Sequence, residues 1–213
     1  MAEADDEGSA VLTELADAGL LLPLSAAPVT AWNAARAWAA ASAGCPLQSE
    51  EGDVQSLSGP CALKDGRTFN GNIDVDEAPD GGVWRFEAVS VGEDAWDGGV
   101  SWIRTDGAHN LSAFDFTAGR SGASVAHSVL AASLSATDAW SSVRGTGRYE
   151  LDGSAITATF VATAAGDCAS AGAAEWLGDA ERVTAGLVAP GCQRCSAWEA
   201  EGGATGEWCE PNE

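Results

Sequence analysis

Six cysteines, two histidines and a large excess of carboxylates are the side chains in this chain best able to do chemistry. Cys192, Cys195 and Cys209 crowd one stretch, "GCQRCSAWEAEGGATGEWC". A C-x-x-C pair there fits half a zinc ribbon, a redox couple or part of a disulfide framework. Zinc would need Cys168 and Cys209 to join Cys192 and Cys195, because His109 and His127 lie far upstream. A thioredoxin-like couple works at a helix N-terminus, whose dipole lowers the thiol pKa. "SAWEAEGGATGEW" instead reads as a β-hairpin. With the turn centred on Gly202, Cys195 and Cys209 face each other across the two strands, near disulfide range. The expected bridges are therefore Cys195–Cys209, Cys45–Cys61 around "CPLQSEEGDVQSLSGPC", and Cys168–Cys192 from the remaining pair. They are one of about 15 pairings that six cysteines allow. No catalytic residue, resident metal or cofactor is assigned.

The other candidates are weaker. Asp74, Asp76 and Asp80 in "NIDVDEAPDGG" are calcium candidates. They lack the glycine that an EF-hand loop needs at its sixth position, and alternation puts Asp74 and Asp76 on one strand face. "GRSGAS" around Ser121 approaches a G-x-S-x-G nucleophile elbow but ends in Ala123. His109 or His127 with Asp115 and a serine would make a hydrolase triple, a combination that this composition generates by chance. Among the nine tryptophans, Trp84, Trp96, Trp102 and Trp140 fall in strand-like segments. Exposed on a curved sheet they would line a site for an apolar ligand or a glycan, and buried they would simply be core.

Composition narrows the partners. The formal net charge is −22, with Lys64 the only lysine. Such a chain is repelled by phosphate backbones, so nucleic acid is excluded as a partner, and anionic membrane surfaces are disfavoured. Protein, glycan or apolar small-molecule partners stay open. A hydrophobic content of 46% sets the chain apart from disordered sequences. No apolar run reaches transmembrane length; "GLLLPLSAA" is short and broken by Pro23. An even set of six cysteines points to an extracytoplasmic protein, in the periplasm, at the cell surface or secreted. The acidic start "MAEADDEGSA" is unlike a basic signal n-region, so the expectation is an exported protein whose signal peptide is absent from this sequence. "ASAGC" resembles the end of a lipoprotein signal with Cys45 lipidated, but Ser42 and the short alanine-rich run before it do not suit one.

Two segments must position these residues. Residues 1–44 read as helical. Ser9 is placed to cap "AVLTELADAG", with Gly19 as its stop and Leu12, Leu15 and Ala16 on one face. Pro23 and Pro28 interrupt. Thr30 is placed to cap "AWNAARAWAAASAG", with Trp32, Ala35 and Ala39 on a face. Residues 45–213 read as a disulfide-stapled antiparallel β domain. Asp-Gly pairs at 65–66, 80–81, 97–98, 106–107 and 152–153 predict hairpin turns, since both residues tolerate positive φ. Between them the chain alternates. "GVWRFEAVSV" puts Trp84, Phe86 and Ala88 on one face, and "SAFDF" puts Phe114 and Phe116 together. The predicted fold class is mainly β, a large antiparallel meander (curved sheet, sandwich or barrel) with an N-terminal helical segment.

"CPLQSEEGDVQSLSGPCALKDGRTFNG" and the tail "CQRCSAWEAEGGATGEWC" resemble segments of uncharacterised bacterial cell-envelope, lipoprotein-like β-rich proteins. In these a Cys-Pro start follows an alanine-rich helix and a Cys-x-x-Cys hairpin closes the chain. The resemblance covers residues 30–76 and 190–209. It implies an exported, usually membrane-anchored protein without known activity. The functional expectation is an extracytoplasmic structural or interaction protein without catalytic activity. The alternatives are a carrier or carbohydrate-binding module using a Trp-lined sheet, and a hydrolase.

Overall fold

In the computed structural model, the described residues are 11–41, 44–52, 54–134, 140–163, 172–179, 181–187 and 195–209. Three helices come first: α1 (Val11–Asp17), α2 (Leu21–Ser25) and α3 (Ala27–Ala40). Fourteen strands follow among the described residues: β1 (Leu47–Glu51), β2 (Val54–Ser58), β3 (Cys61–Ala62), β4 (Thr68–Ala78), β5 (Gly81–Val91), β6 (Asp94–Thr105), β7 (Ala108–Arg120), β8 (Ala123–Leu134), β9 (Trp140–Leu151), β10 (Ser154–Thr163), β11 (Gly172–Gly178), β12 (Arg182–Leu187), β13 (Cys195–Ala200) and β14 (Thr205–Cys209). They form one open antiparallel sheet in nearly strict sequence order, with β2 and β3 both pairing along β4. The curved open sheet, and neither a sandwich nor a closed barrel, is the form the meander takes.

The helices lie against the apolar face of this sheet. α1 meets β9, β10, β12 and β14, α2 meets β7 and β8, and α3 meets β6 and β7. A segment touched by strands so far apart in the order must sit inside the curl of the sheet. Helices and strands share one core, in which Leu12, Leu15 and Trp32 are as buried as Phe69, Val100 and Trp176.

The helix boundaries have local causes. α1 ends where Gly19 adopts φ +70°, with Leu20 N–H on Leu15 O and Gly19 N–H on Ala16 O, the paired bonds of a Schellman stop. The predicted Ser9 cap lies outside the described residues. α3 starts before Thr30, because Pro28 suits the first turn and needs no N–H partner there. Thr30 instead turns its hydroxyl back to Ala26 O. α3 also stops before Gly44. Gln48 of β1 donates its amide to Trp38 O at 2.9 Å and Ala41 O at 2.8 Å, satisfying carbonyls that the helix leaves open.

The turn chemistry is partly as predicted. Asp106-Gly107 and Asp152-Gly153 have both residues at positive φ, as a two-residue hairpin requires, and so does Ser121-Gly122. Asp97-Gly98 differs: it is no turn but a bulge inside β6, where the register slips against both β5 and β7. Gly98 has φ +110°, and a Cβ there would lie 2.2 Å from Asp115 O, so only glycine fits. Further bulges fall near Gly71 in β4, Ala88 in β5, Asp115 in β7 and Ser128 in β8. This row of extra residues bends neighbouring strands at one level and curls the sheet round the helices.

The bulges also correct two alternation readings. Ala88 is exposed at φ +48°, and the inward sequence of β5 runs Trp84, Phe86, Val89, Val91. Phe114 faces solvent while Phe116 is buried, because Asp115 between them takes φ +48°. One inserted residue moves the following side chains to the other face. Phe114 then lies across Gly99 of β6, where a Cβ would collide with its ring.

Candidate functional site

The polar and aromatic side chains that could do chemistry meet where the helices rest on the sheet. His127, on β8, is 4% exposed. Its Nε2 lies 3.1 Å from Leu24 O on α2, and because a carbonyl oxygen can only accept, Nε2 carries the proton and donates. Nδ1 is buried with no partner among the described residues. Phe116 and Phe160 flank the ring. Burial in this apolar setting lowers the imidazole pKa to about 4, against a smaller upward pull from the bond to Leu24. His127 is therefore a neutral donor at neutral pH.

Next to it, Ser25 at the end of α2 joins two strands. Its hydroxyl lies 2.7 Å from the Tyr149 hydroxyl of β9 and accepts from Trp176 Nε1 of β11 at 2.7 Å. Burial pushes the Tyr149 phenol above its ordinary pKa, so it stays protonated. Towards α3, the His109 ring packs edge-on to Trp32 and Trp102, each with centroids 5.2 Å away. The Arg36 guanidinium lies 4.5 Å from the Trp32 ring. At the other end, Glu181 caps α1 from just before β12, its Oε2 accepting from Leu12 N–H at 2.9 Å. Burial raises the Glu181 pKa.

The hydrogen bonds among these groups join residues from 103 to 169 apart in sequence. His127, His109, Ser25, Tyr149 and Trp176 are closed off from solvent, and Arg36 and Glu181 are half-buried. A recess of about 30 Å3 opens beside α2, lined by Pro23, Leu24, Thr30, Trp96 and the Asp94–Arg120 ion pair. It has room for a water molecule and no more.

The sequence candidates are distributed as follows. Trp84, Trp96 and Trp102 are at most 8% exposed. Trp84 donates to Glu77 Oε1 at 2.8 Å, and Trp96 packs on Trp38 and Phe86. The side chain of Trp140 lies outside the described residues. Asp74 and Asp76 share the outer face of β4, where Asp74 accepts from Ser56 and Asn72. Asp80 sits in the β4–β5 turn. Among the described residues no three His, Cys, Asp or Glu side chains gather as a metal site. Ser121 opens an exposed turn and donates to Glu93 at 2.6 Å, far in character from the buried His127. Ser25, Tyr149 and Trp176 were missed by sequence reasoning; only their inward position in alternating strands and helix faces signals them.

Cys45 and Cys61 form a disulfide with Cα atoms 5.5 Å apart, tying the end of the helical segment to β3. The hairpin register puts Cys195 opposite Cys209 as the turn at Gly202 predicts. Their side chains, and the Cys168–Cys192 pairing, lie outside the described residues. Replacing Cys45 and Cys61 together by serine is expected to cost about 2 kcal/mol, the low end for closing a loop of this length. Urea midpoints of the variant and the oxidised parent measure it.

Fold and site together define a helix-filled open β-meander whose reactive side chains are locked into packing. No protein family, no curated protein and no solved structure matches the chain. No helix among the described residues is long and apolar enough to cross a membrane.

Proposed function

We propose that this is an extracytoplasmic structural or interaction protein that works through its surface and does no catalysis. The filled concave face is the observation that supports this reading. Trp32, Leu24 and Leu15 occupy the space where a carrier would hold an apolar ligand, and His109, His127, Ser25 and Tyr149 are committed to holding the helices. The Cys45–Cys61 disulfide supports the compartment, since such bonds persist in oxidising surroundings. A carrier reading would require α1–α3 to leave the sheet.

Native mass spectrometry of protein purified without detergent tests this, alongside assays on generic ester, peptide and glycoside substrates. Masses equal to the bare chain or its whole multiples, without adducts, and no turnover are expected. A stoichiometric lipid adduct would favour the carrier, and turnover abolished by His127→Gln would favour the hydrolase.

A further inference from the structure

Large apolar side chains exposed among the described residues fall mainly into two groups on the outer face of the sheet. Leu47 and Val54 belong to the β1–β2 hairpin at the sheet's first edge. Alternation puts Leu47 and Glu51 on one face; Val54 pairs with Glu51 on one side and with Asp76 on the other. Buried Leu57 points the opposite way, so this apolar patch is outward and framed by carboxylates. The second group is Val129 of β8, Val161 of β10 and Leu177 of β11, exposed by 61%, 53% and 50%, with Phe114 beside them. Val129 pairs with Thr146, Thr146 with Thr159, and Thr159 with Leu177. Val161 pairs with Arg144, and Arg148 follows on the same face of β9.

At the centre of this second group, on β8, β9 and β10, the charges run against the rest of the chain. β8 and β10 carry no carboxylate, and β9 carries Glu150 alone, near its end. The flanking strands carry Asp115, next to Phe114 on β7, and Glu175, opposite Val161 on β11 and held by Arg182 at 2.6 Å. Among the described residues Arg144 and Arg148 make no ion pair. A net charge of −22 marks a surface otherwise kept soluble by acids. Arg144 and Arg148 on β9, between Val129 and Val161, with Glu175 neutralised by Arg182, give an apolar strip whose central charges are basic, which solubility alone would not select.

We infer that copies of this chain associate head to tail, the Leu47–Glu51–Val54 edge of one seated on Val129, Val161, Arg144 and Arg148 of the next. The complement of each patch, in both charge and apolarity, is present on the same molecule. Six strand spacings separate β2 from β9, roughly 29 Å along a curled sheet, so one copy cannot join its own two patches. Different surfaces meeting this way build rings or open chains, not a closed twofold pair. Long-range repulsion between acidic copies is screened beyond about 8 Å at physiological salt, which leaves the local pairs to act. The inference rests on the interaction reading above and names its partner.

Sedimentation velocity at physiological salt tests it. The expected result is a weight-average mass that rises with protein concentration. Arg144→Glu with Arg148→Glu should return the chain to monomer, as should Glu51→Arg with Asp76→Arg. Mixing these two variants should restore a complex, because each supplies the charge the other lacks. All four positions are on the sheet surface, and circular dichroism checks that each variant folds. A wild-type chain that stays monomeric up to about 1 mM, or an assembly indifferent to both exchanges, overturns the inference. A monomer that is also ligand-free and inactive overturns it without touching the non-catalytic reading.

Discussion

Lowering the pH from 7 to 4 will remove about 3 kcal/mol of stability through His127 alone. The unfolded chain binds a proton at this imidazole with a pKa near 6.5, the folded chain only at about 4. Between those values the unfolded state holds more protons, so stability falls as pH falls. It is fully present above about pH 6.5, is lost progressively toward pH 4, and below that the loss levels off. The surroundings offer the cation nothing. α2 presents Leu24 O, already bonded to Nε2; β7 and β10 present Phe116 and Phe160; β9 presents Gly147 and, further along, the protonated Tyr149. Beside Leu24 on α2 lies the Asp94–Arg120 pair, whose signs offset each other. His127→Gln keeps an N–H donor for Leu24 O and cannot take a proton. Urea midpoints measured from pH 7.5 to 4 should therefore converge, the variant being weaker at neutral pH and losing less stability than the wild type in acid. Relief of repulsion among carboxylates acts on both proteins and cancels in the difference.

Trp32→Ala is expected to cost about 3–5 kcal/mol. Trp32 is fully buried at the centre of the helix–sheet contact, against Trp102, His109 and Arg36. Truncation leaves a cavity that the stiff sheet below cannot close. Trp38→Ala on the same helix removes an equally large ring, but one that is half-buried against Phe69 and Trp96, and should cost less. Chemical denaturation of both variants at pH 7 measures the order. If Trp38 matters more than Trp32, the helical segment docks on the sheet differently.

Most of the architecture could be read from local pattern. Asp106-Gly107 and Asp152-Gly153 punctuate strands whose period of two is visible, and the "SAWEAEGGATGEW" hairpin has the predicted register. What alternation missed, it missed at the bulges. Phe114 and Ala88 are misassigned because one residue at positive φ inverts every side chain after it, and nothing before the inversion announces it. The spacing Phe86 to Val89, three and not two, is the trace a bulge leaves. β1, β2 and β11 were also missed: β1 and β2 are mostly polar and exposed or half-buried, and the alternation of β11 rests on Ala174 and Trp176 alone. The tryptophans were recognised as a resource, but their burial depends on α1–α3 lying inside the curl, a long-range fact with no local mark. The Ser25–Tyr149–Trp176 cluster is invisible for the same reason: its partners are 124 and 151 residues apart.

Native-state hydrogen exchange of the α3 amides, compared with those of β9 and β10, tests most directly whether the concave face is a closed core. With the helices integral to the fold, amides from Val29 to Ala35 should exchange only through the global unfolding that also releases Tyr149 and Phe160, with the same dependence on denaturant. Exchange of α3 by a separate opening, orders of magnitude faster while β9 and β10 stay protected, would contradict this. The helices would then be a displaceable insert over a tryptophan-lined trough, and the protein a carrier.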